Sequence, residues 1–432
     1  MRHGKVRSAV ATITLSAFSF YCASTRIPPV SSMGAAFRPD RDEVRLWEEA
    51  RGEEAKLRDK ARIYQDPLLK TYLEGVVAKL NPPGMAANTA ISYRVTVLED
   101  PTLNAFAYPN GSIYVHTGLL ARMDDEDELA TVLGHEMTHV EGRHMLRYQR
   151  SVRNKQIGFA VASVAGAVIV AGAEGRAAER GDYAKAAQIR VLSDLLVGLG
   201  LELAIIAAVN GYGRDLEREA DEGGFQKMRA AGYDVREAPK VYETLLEDYG
   251  DAGKTEAFFF GSHPRLRERV AAAKAAAAAE PGEPPAPLAE RDEFARRIRP
   301  VVRDDARLNI EMGRLALAQD ELDRVMRMMP GDPEAHYLVG RLGLRRAEAE
   351  KDPMRRKSLR AEAMASFREA IRLDPNRPGP HREVGLLAYE EDDFATACVS
   401  FRLYLETDPK ADDAQRIRDY LLEMERDGRC NR

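Results

Sequence analysis

The spacing of hydrophobic positions divides the chain into segments of different character. From residue 40 to residue 80, apolar residues recur at helical intervals within a charged stretch. In residues 91–98 and 112–116 they alternate with polar residues and include β-branched types, which predicts two strands. Residues 104–107 and a Tyr-Pro-Asn-Gly turn ending at Gly111 lie between these strands, so the pattern predicts a short hairpin. An acidic run at residues 124–128 then predicts a helix N-terminus.

Two longer apolar stretches follow, at residues 158–173 and 191–209. As a helix rising about 1.5 Å per residue, the first would reach about 24 Å, which is short of a hydrocarbon core of about 30 Å. The second contains Asp194 and Glu202, and carboxylates are costly at membrane depth. The pattern favours buried or membrane-touching helices of a soluble domain, and a membrane-embedded protein is the alternative.

The first 24 residues have the pattern of an export signal. A basic start precedes an apolar or small run, residues 9–23, that is too short to span a bilayer. Cys22 is a candidate for a lipid anchor to a membrane, and cleavage near Ala23 or Ser24 is the competing interpretation. The other cysteines are Cys398 and Cys430, and their spacing leaves open whether they form a disulfide or are unrelated thiols.

The C-terminal part contains an internal repeat. We predict a proline-rich linker at residues 280–290 and a separate domain at 291–430. The repeat has an offset of 34 residues and pairs Ala363, Phe367, Ala370 and Pro375 with Ala397, Phe401, Tyr404 and Pro409. A small residue at a helix crossing, here Gly385, an aromatic residue in the second helix and a closing proline are typical of a tetratricopeptide repeat. Gly340 fits an upstream copy only if about 11 extra residues, around 351–357, lengthen that unit.

Composition excludes some classes of protein. A chain of 432 residues is too long for one hydrophobic core, so two or three domains are expected. The hydrophobic content of 44% and charged content of 31% are those of an ordinary globular protein. The net charge of -5 and the absence of a basic block give no indication of a nucleic-acid partner.

The candidate chemistry lies in a predicted helical run, residues 128–147, that contains His135-Glu136-Met-Thr-His139. Positions four apart share a helix face, so both imidazoles can reach one ion. Zinc in such a site acidifies a water, and Glu136 is placed to take its proton and pass it to a leaving amine. His144 turns off this face, and we interpret it as a surface group or a support for a ligand. The alternative is a helix that contains these residues by chance.

A catalytic zinc needs a third protein ligand and one open position. Glu217 and Asp221 are four residues apart on a predicted helix, so one can bind metal while the other orients a ligand histidine. Asp215, Arg218 and Glu219 fit an exposed charged surface instead.

These motifs resemble those of the HtpX/BepA/CAAX-prenyl-protease family of gluzincin peptidases, and are most similar to its periplasmic branch with C-terminal tetratricopeptide repeats. The resemblance covers residues 91 to about 270. It implies that His135, His139 and Glu217 bind one zinc ion and that Asp221 supports a ligand. Residues 104–107, 113–115 and 118–120 match the hairpin beside the family's cleft.

The resemblance also assigns residues around the cleft. Ser262-His263-Pro264, with Arg269, matches a later motif, in which the histidine can occupy the fourth site on zinc and hold the enzyme latent. His263 and Arg269 are therefore candidates for a regulatory ligand or a substrate site, and a loop histidine stiffened by proline is the alternative. An extended substrate can pair with an edge strand, and the predicted substrate-strand residues are Asn104, Ile113, Tyr114 and Val115. The long charged segment 172–190 departs from the family pattern.

We therefore expect an α+β, mostly α fold, with a gluzincin zinc-peptidase domain at residues 40–279 and a tetratricopeptide-repeat superhelix after it. The expected activity is zinc-dependent hydrolysis of internal peptide bonds in misfolded or stalled envelope proteins of the periplasm. The repeats would recruit substrate or, as the resemblance implies, the outer-membrane β-barrel assembly machinery. The alternative of another class is a repeat-based chaperone or adaptor with a latent peptidase site.

Overall fold

A computed structural model describes residues 27–81, 91–159, 201–206, 212–249, 266–282 and 290–430 of the chain. The chain forms two compact units, divided between Arg297 and Ile298, and each is described by itself. The predicted export signal with Cys22, most of both apolar stretches, and His263 lie outside the described residues. Among the helices that are described, none has the length and apolar character needed to cross a membrane.

The first unit consists of helices around a small sheet. Its helices are α1 (Val30–Met33), α2 (Arg41–Lys60), α3 (Pro67–Leu80), α4 (Thr117–Ala121), α5 (Glu126–Glu141), α6 (His144–Phe159), α7 (Glu202–Ile205), α8 (Arg214–Ala231), α9 (Ala238–Tyr249) and α10 (Leu266–Ala278), with single 3-10 turns at Gly34–Ala36 and Val235–Glu237. Its strands are β1 (Arg94–Leu98), β2 (Ala105–Ala107) and β3 (Ser112–His116). The expectation of a mostly helical α+β unit is confirmed.

The sheet has the strand order β1-β3-β2. β2 and β3 form the predicted antiparallel hairpin, with Ala105 opposite Val115 and Ala107 opposite Ile113. Gly111 closes its turn at φ +93°, and a Cβ there would collide with the backbone of Ser92. β1 runs parallel to β3 on its other side.

The prediction that Ile113, Tyr114 and Val115 form an edge strand is wrong. β3 is the central strand, because β1 and β2 occupy both of its hydrogen-bonding edges. The Tyr114 ring stacks on Phe106 at 5.2 Å between centroids, and its hydroxyl lies 3.3 Å from Glu54 Oε1. These strand residues are buried core residues, and the edge on this side of the sheet is β2.

The helix that carries the metal motif begins and ends differently from the predicted run. Asp125 caps α5 by accepting the N–H of Glu128 at 3.0 Å, and acidic residues fill the first turn, as expected. The helix then ends at Glu141, and α6 begins at His144. The predicted continuous helix over 128–147 is therefore two helices. The break depends on Arg143, a non-glycine residue at φ +54°.

The second unit is built from successive helices with short connections. They are α11 (Glu290–Glu311), which begins in the first unit, α12 (Leu315–Met328), α13 (Pro333–Ala349), α14 (Pro353–Leu373), α15 (Pro378–Glu390), α16 (Phe394–Thr407) and α17 (Ala414–Arg426). Gly340 and Gly385 lie against the rings of Phe367 and Phe401, respectively, so closely that neither position has room for a Cβ. The same small-against-aromatic contact therefore occurs in two consecutive helix pairs, as the repeat predicts.

The eleven extra residues of the upstream pair are helical. α13 has 17 residues against 13 in α15, and α14 has 21 against 14 in α16, so the additions are four and seven residues. Four and seven are close to whole turns of a helix, so the buried face keeps its register. A second repeated contact supports the alignment. His336 Nε2 meets the carbonyl of Pro330 at 2.8 Å, and 45 residues later His381 Nε2 meets that of Pro375 at 2.7 Å.

A disulfide joins Cys398 on α16 to Cys430, which resolves the question that the cysteine spacing left open. Cys398 is fully buried in the cluster that contains Phe401, Ile417 and Met424. The bond therefore ties the residues after α17 to the core of the last helix pair.

We predict that Gly385→Ala destabilises the second unit by about 1–3 kcal/mol, because an added methyl must displace the Phe401 ring from a packed core. Gly331→Ala is the matched control, since its Cβ would meet only a side-chain carbon of Leu373 at 3.9 Å. Urea unfolding followed by circular dichroism measures both variants. Equal midpoints would contradict the packing role of Gly385.

Candidate metal centre

The site lies where α5 and α8 cross at short range. A Cβ on Gly134 would lie 3.2 Å from the carbonyl oxygen of Gly224, and one on Gly224 would lie 3.0 Å from the backbone nitrogen of His135. Such distances are tighter than ordinary contacts, so glycine on both helices allows the backbones to approach. The approach brings Glu217 of α8 to the histidine face of α5.

Three buried side chains converge at this crossing: His135, His139 and Glu217. The Nε2 atoms of the two histidines are 2.9 Å apart, and Glu217 Oε2 lies 3.5 Å from the first and 3.7 Å from the second. A tetrahedral zinc ion with bonds of about 2.0–2.2 Å requires ligand atoms roughly 3.3 Å apart. The triangle therefore fits a zinc ion in size, and two imidazoles with one carboxylate are a donor set that zinc prefers.

His135 is held from behind by a charged pair. Its Nδ1 lies 2.9 Å from Asp221 Oδ1, while Arg269 binds the same carboxylate through Nε at 2.9 Å and Nη2 at 2.5 Å. The Tyr242 hydroxyl donates to Asp221 at 2.9 Å, and the Arg269 guanidinium lies 4.4 Å from the centre of the Tyr242 ring. Asp221 thus has the supporting position that the sequence predicts. The guanidinium of Arg269 anchors that carboxylate from behind the metal-ligand triangle.

The electrostatics of the pocket favour a positive charge between the ligands. Burial and the neighbouring Arg269 lower the pKa of His135, but its bonds to Asp221 and Glu217 outweigh both and raise that pKa to about 9. Burial also opposes ionisation of Asp221, yet Arg269 and His135 hold its pKa well below the usual value. The carboxylates around His135 thus favour a positive charge at this position, and a bound cation would satisfy the same electrostatic preference.

Glu136 lies beside the ligand triangle and is buried. Burial is the largest effect on its carboxyl group and raises its pKa to about 7. The backbone of Ala107 on β2 hydrogen-bonds to it. A small cavity is lined by Glu136, Ala105, Val132 and Tyr242. A carboxyl group with a pKa near neutrality, beside a cavity, is suited to take up and release a proton.

His144 and Glu219 contact the site in a way that the sequence only partly indicated. His144 is fully buried, and its Nδ1 lies 2.8 Å from Nδ1 of His139, so it is not a surface group. Burial lowers the pKa of His144. Asp215 and Arg218 are exposed as expected, and the partly exposed Glu219 also lies 3.4 Å from His144 Nε2.

Tyr212 also escaped the sequence analysis. Tyr212 lies two positions before the start of α8. Its ring packs on His139 with 4.5 Å between centroids. Nothing in its spacing marks it, because Tyr212 reaches His139 only through the crossing of α5 and α8. The glycines of that crossing, Gly134 and the pair Gly223-Gly224, are the signal that could have located it.

Comparison with known proteins finds a family model that covers this centre. Residues 66–277 match the model of Peptidase family M48. The beta-barrel assembly-enhancing protease of Escherichia coli (strain K12) is 26% identical over 223 residues, which cover 51% of this chain and 41% of that protein. A Vibrio cholerae counterpart is 27% identical over 214 residues, covering 50% and 40%. The mitochondrial metalloendopeptidase OMA1 of Arabidopsis thaliana is 31% identical over 179 residues, covering 41% and 30%.

The matches to these three relatives therefore span less than half the length of each. The family match covers α3, the sheet and the helices up to α10, which include every residue of the candidate metal centre.

We predict that Asp221→Asn weakens zinc binding about 10–100-fold, the usual cost of losing a carboxylate that orients a ligand histidine. Tyr242→Phe is the matched control. It removes another bond to Oδ1 of Asp221 but leaves the carboxylate facing His135 and Arg269. Competition with a chromophoric chelator measures both affinities, and equal weakening in the two variants would contradict a specific role for the carboxylate.

Proposed function

Because the chain contains a domain of peptidase family M48, we propose that it is a zinc-dependent metalloendopeptidase acting on internal peptide bonds of misfolded or stalled proteins of the cell envelope. The observation that carries this proposal is the buried triangle of His135, His139 and Glu217 with Glu136 beside it. When bound there, zinc would act as a Lewis acid toward a water and a peptide carbonyl. Glu136 takes a proton from the attacking water and delivers it to the leaving amine, a role that its raised pKa supports.

The edge of β2 is the surface best placed to hold an extended substrate. Along an antiparallel strand, N–H groups point alternately toward the partner strand and away from it. Backbone bonds connect Asn104 with His116 and Tyr108 with Ser112, so the N–H groups of Ala105 and Ala107 point away from β3. The backbone of Ala107 meets Glu136, and Ala105 lines the cavity beside it. A substrate strand paired here would pass directly by the proton-transferring carboxylate.

We also propose that Asn104, which directly precedes β2, contacts a bound substrate. It is fully buried at the start of β2, and within the described structure neither its Oδ1 nor its Nδ2 makes a hydrogen bond. A buried amide that makes no hydrogen bond destabilises the fold, and a ligand that hydrogen-bonds to it would remove that cost. An amide can donate to and accept from a peptide backbone at once.

The proposed location is the periplasm or another oxidising compartment of the envelope. The export pattern of residues 1–24 and the Cys398–Cys430 disulfide both support it. The name of the Escherichia coli relative connects that protein with β-barrel assembly, and we extend this connection to the present chain as a partner of its repeat-like helices. Anchoring through Cys22 and closure of the metal site by His263 belong to the same proposal.

We predict that Glu136→Gln keeps zinc but lowers cleavage of unfolded casein by at least about 100-fold, since only the proton acceptor is lost. Glu217→Ala loses most of its zinc. Glu222→Gln, an exposed change on the same helix, retains both metal and activity. Elemental mass spectrometry and a casein assay measure these outcomes. Full zinc in Glu217→Ala would contradict the ligand assignment, and a zinc-loaded wild type without proteolysis would favour the adaptor alternative.

We predict that Asn104→Ala lowers kcat/KM for an extended peptide at least tenfold while the free energy of unfolding changes by less than about 1 kcal/mol. The small stability change follows because the substitution also removes two buried polar atoms that have no partner among the described residues. Peptide kinetics and urea unfolding separate the two effects. A large loss of stability with unchanged kinetics per folded molecule would assign Asn104 to the core.

A further inference from the structure

The two ligand histidines are supported from behind by different groups. The outer nitrogen of His135 meets the Asp221 carboxylate directly. The outer nitrogen of His139 instead meets another imidazole, with 2.8 Å between Nδ1 of His139 and Nδ1 of His144. The two rings are nearly perpendicular, at 82°, and both are buried. The second support is therefore an imidazole that lies between His139 and the carboxylate of Glu219.

Hydrogen-bond chemistry fixes the direction of this contact. His139 points Nε2 into the ligand triangle, so a metal ion takes that nitrogen and the ring proton must sit on Nδ1. His144 then accepts on its own Nδ1 and holds its proton on Nε2. That nitrogen lies 3.4 Å from Glu219 Oε1 without forming a hydrogen bond, and Arg147 binds both oxygens of Glu219 at 2.8 Å. The ring protons of His139 and His144 would therefore both point in the direction from His139 toward Glu219.

The backbone places His144 at the cost of an unfavourable conformation. The chain leaves α5 through Gly142 and turns at Arg143, whose φ of +54° is unusual for a residue with a side chain. A Cβ on Gly142 would overlap the His144 ring, so only glycine fits there. The Arg143 side chain binds the Glu43 carboxylate, with Nε to Oε1 at 2.8 Å, and lies over the Phe37 ring. This turn is what returns a histidine five positions after His139 to the back of that ligand.

We propose that His144 is a positioning residue for the metal centre, which accepts the Nδ1 proton of His139 and lies with its own Nε2 beside the Glu219 carboxylate. This inference rests on the proposed zinc site and adds to it the group that sets the ring orientation and tautomer of the second ligand. A ligand histidine whose outer nitrogen lacks a partner binds metal about 10–100-fold more weakly.

The test compares two substitutions of the same residue. Asn places an acceptor oxygen near the position of a histidine Nδ1, whereas Leu fills the space without any acceptor. We expect His144→Leu to raise the zinc dissociation constant about 10–100-fold and His144→Asn to stay within about threefold of the wild type. Glu219→Leu should give an intermediate loss, and Glu222→Leu, an exposed change on the same helix, should give none. Competition with a chromophoric chelator provides the constants.

A spectroscopic measurement separates positioning from general damage to the fold. Cobalt(II) bound in place of zinc reports ligand geometry through its visible absorption, and we expect a changed spectrum in His144→Leu and the wild-type spectrum in His144→Asn. Equal zinc affinity and equal spectra in the wild type and His144→Leu would overturn the inference, as would equal weakening in the Leu and Asn variants. If His144→Leu does not fold, wild-type affinity in Glu219→Leu together with strong weakening in His144→Asn overturns it. Failure of the wild type to bind zinc would instead contradict the proposed function.

Discussion

The metal centre depends on how closely two helices approach. Glu217 and the histidines belong to α8 and α5, which are separated by some 75 residues of sequence, and a carboxylate reaches only a few ångströms from its backbone. With side chains at the crossing, two helices pack at about 8–10 Å between axes. The absence of side chains at Gly134 and Gly224 removes that spacing, and the resulting approach leaves 3.5–3.7 Å between the ligand atoms. The geometry of the site thus depends on two residues that have no side chain, Gly134 and Gly224.

The same crossing concentrates buried charge, which the rest of the domain must balance. Glu136, Glu217 and Asp221 are all removed from solvent within one small volume. Arg269 and the histidines offset part of this charge, and the raised pKa values of His135 and Glu136 show that a demand for positive charge remains. A divalent cation bound there would meet that demand. Such binding would link the stability of this unit to its metal content.

The sequence predicted the parts of the site that local spacing determines. His135 and His139 share a face because they are four apart within one helix, and Asp221 follows Glu217 by the same rule. It could not predict what tertiary structure determines. β3 became the central strand because a parallel strand, β1, pairs with its free side. His144 departs from the helical register of α5 because the chain turns at Arg143, and it lies close to Glu219 only because of that turn. An analysis of periodicity assumes an unbroken helix, so it could not predict the break at Arg143 that changes the position of His144.

The turn at Arg143 also shows that the folding unit is larger than the matched family domain. The family match begins at residue 66, but the Glu43 carboxylate that holds Arg143 belongs to α2. Glu53 and Glu54 of the same helix accept bonds from the backbone of Leu203 and from Asn110. A chain beginning at residue 66 would leave a buried arginine and several buried donors without their acceptors, each a substantial cost. Helix α2 is therefore part of the folded unit that contains the candidate metal site, because Glu43 and the N-cap residue Asp40 restrain by charge the residue at which the chain turns toward His144.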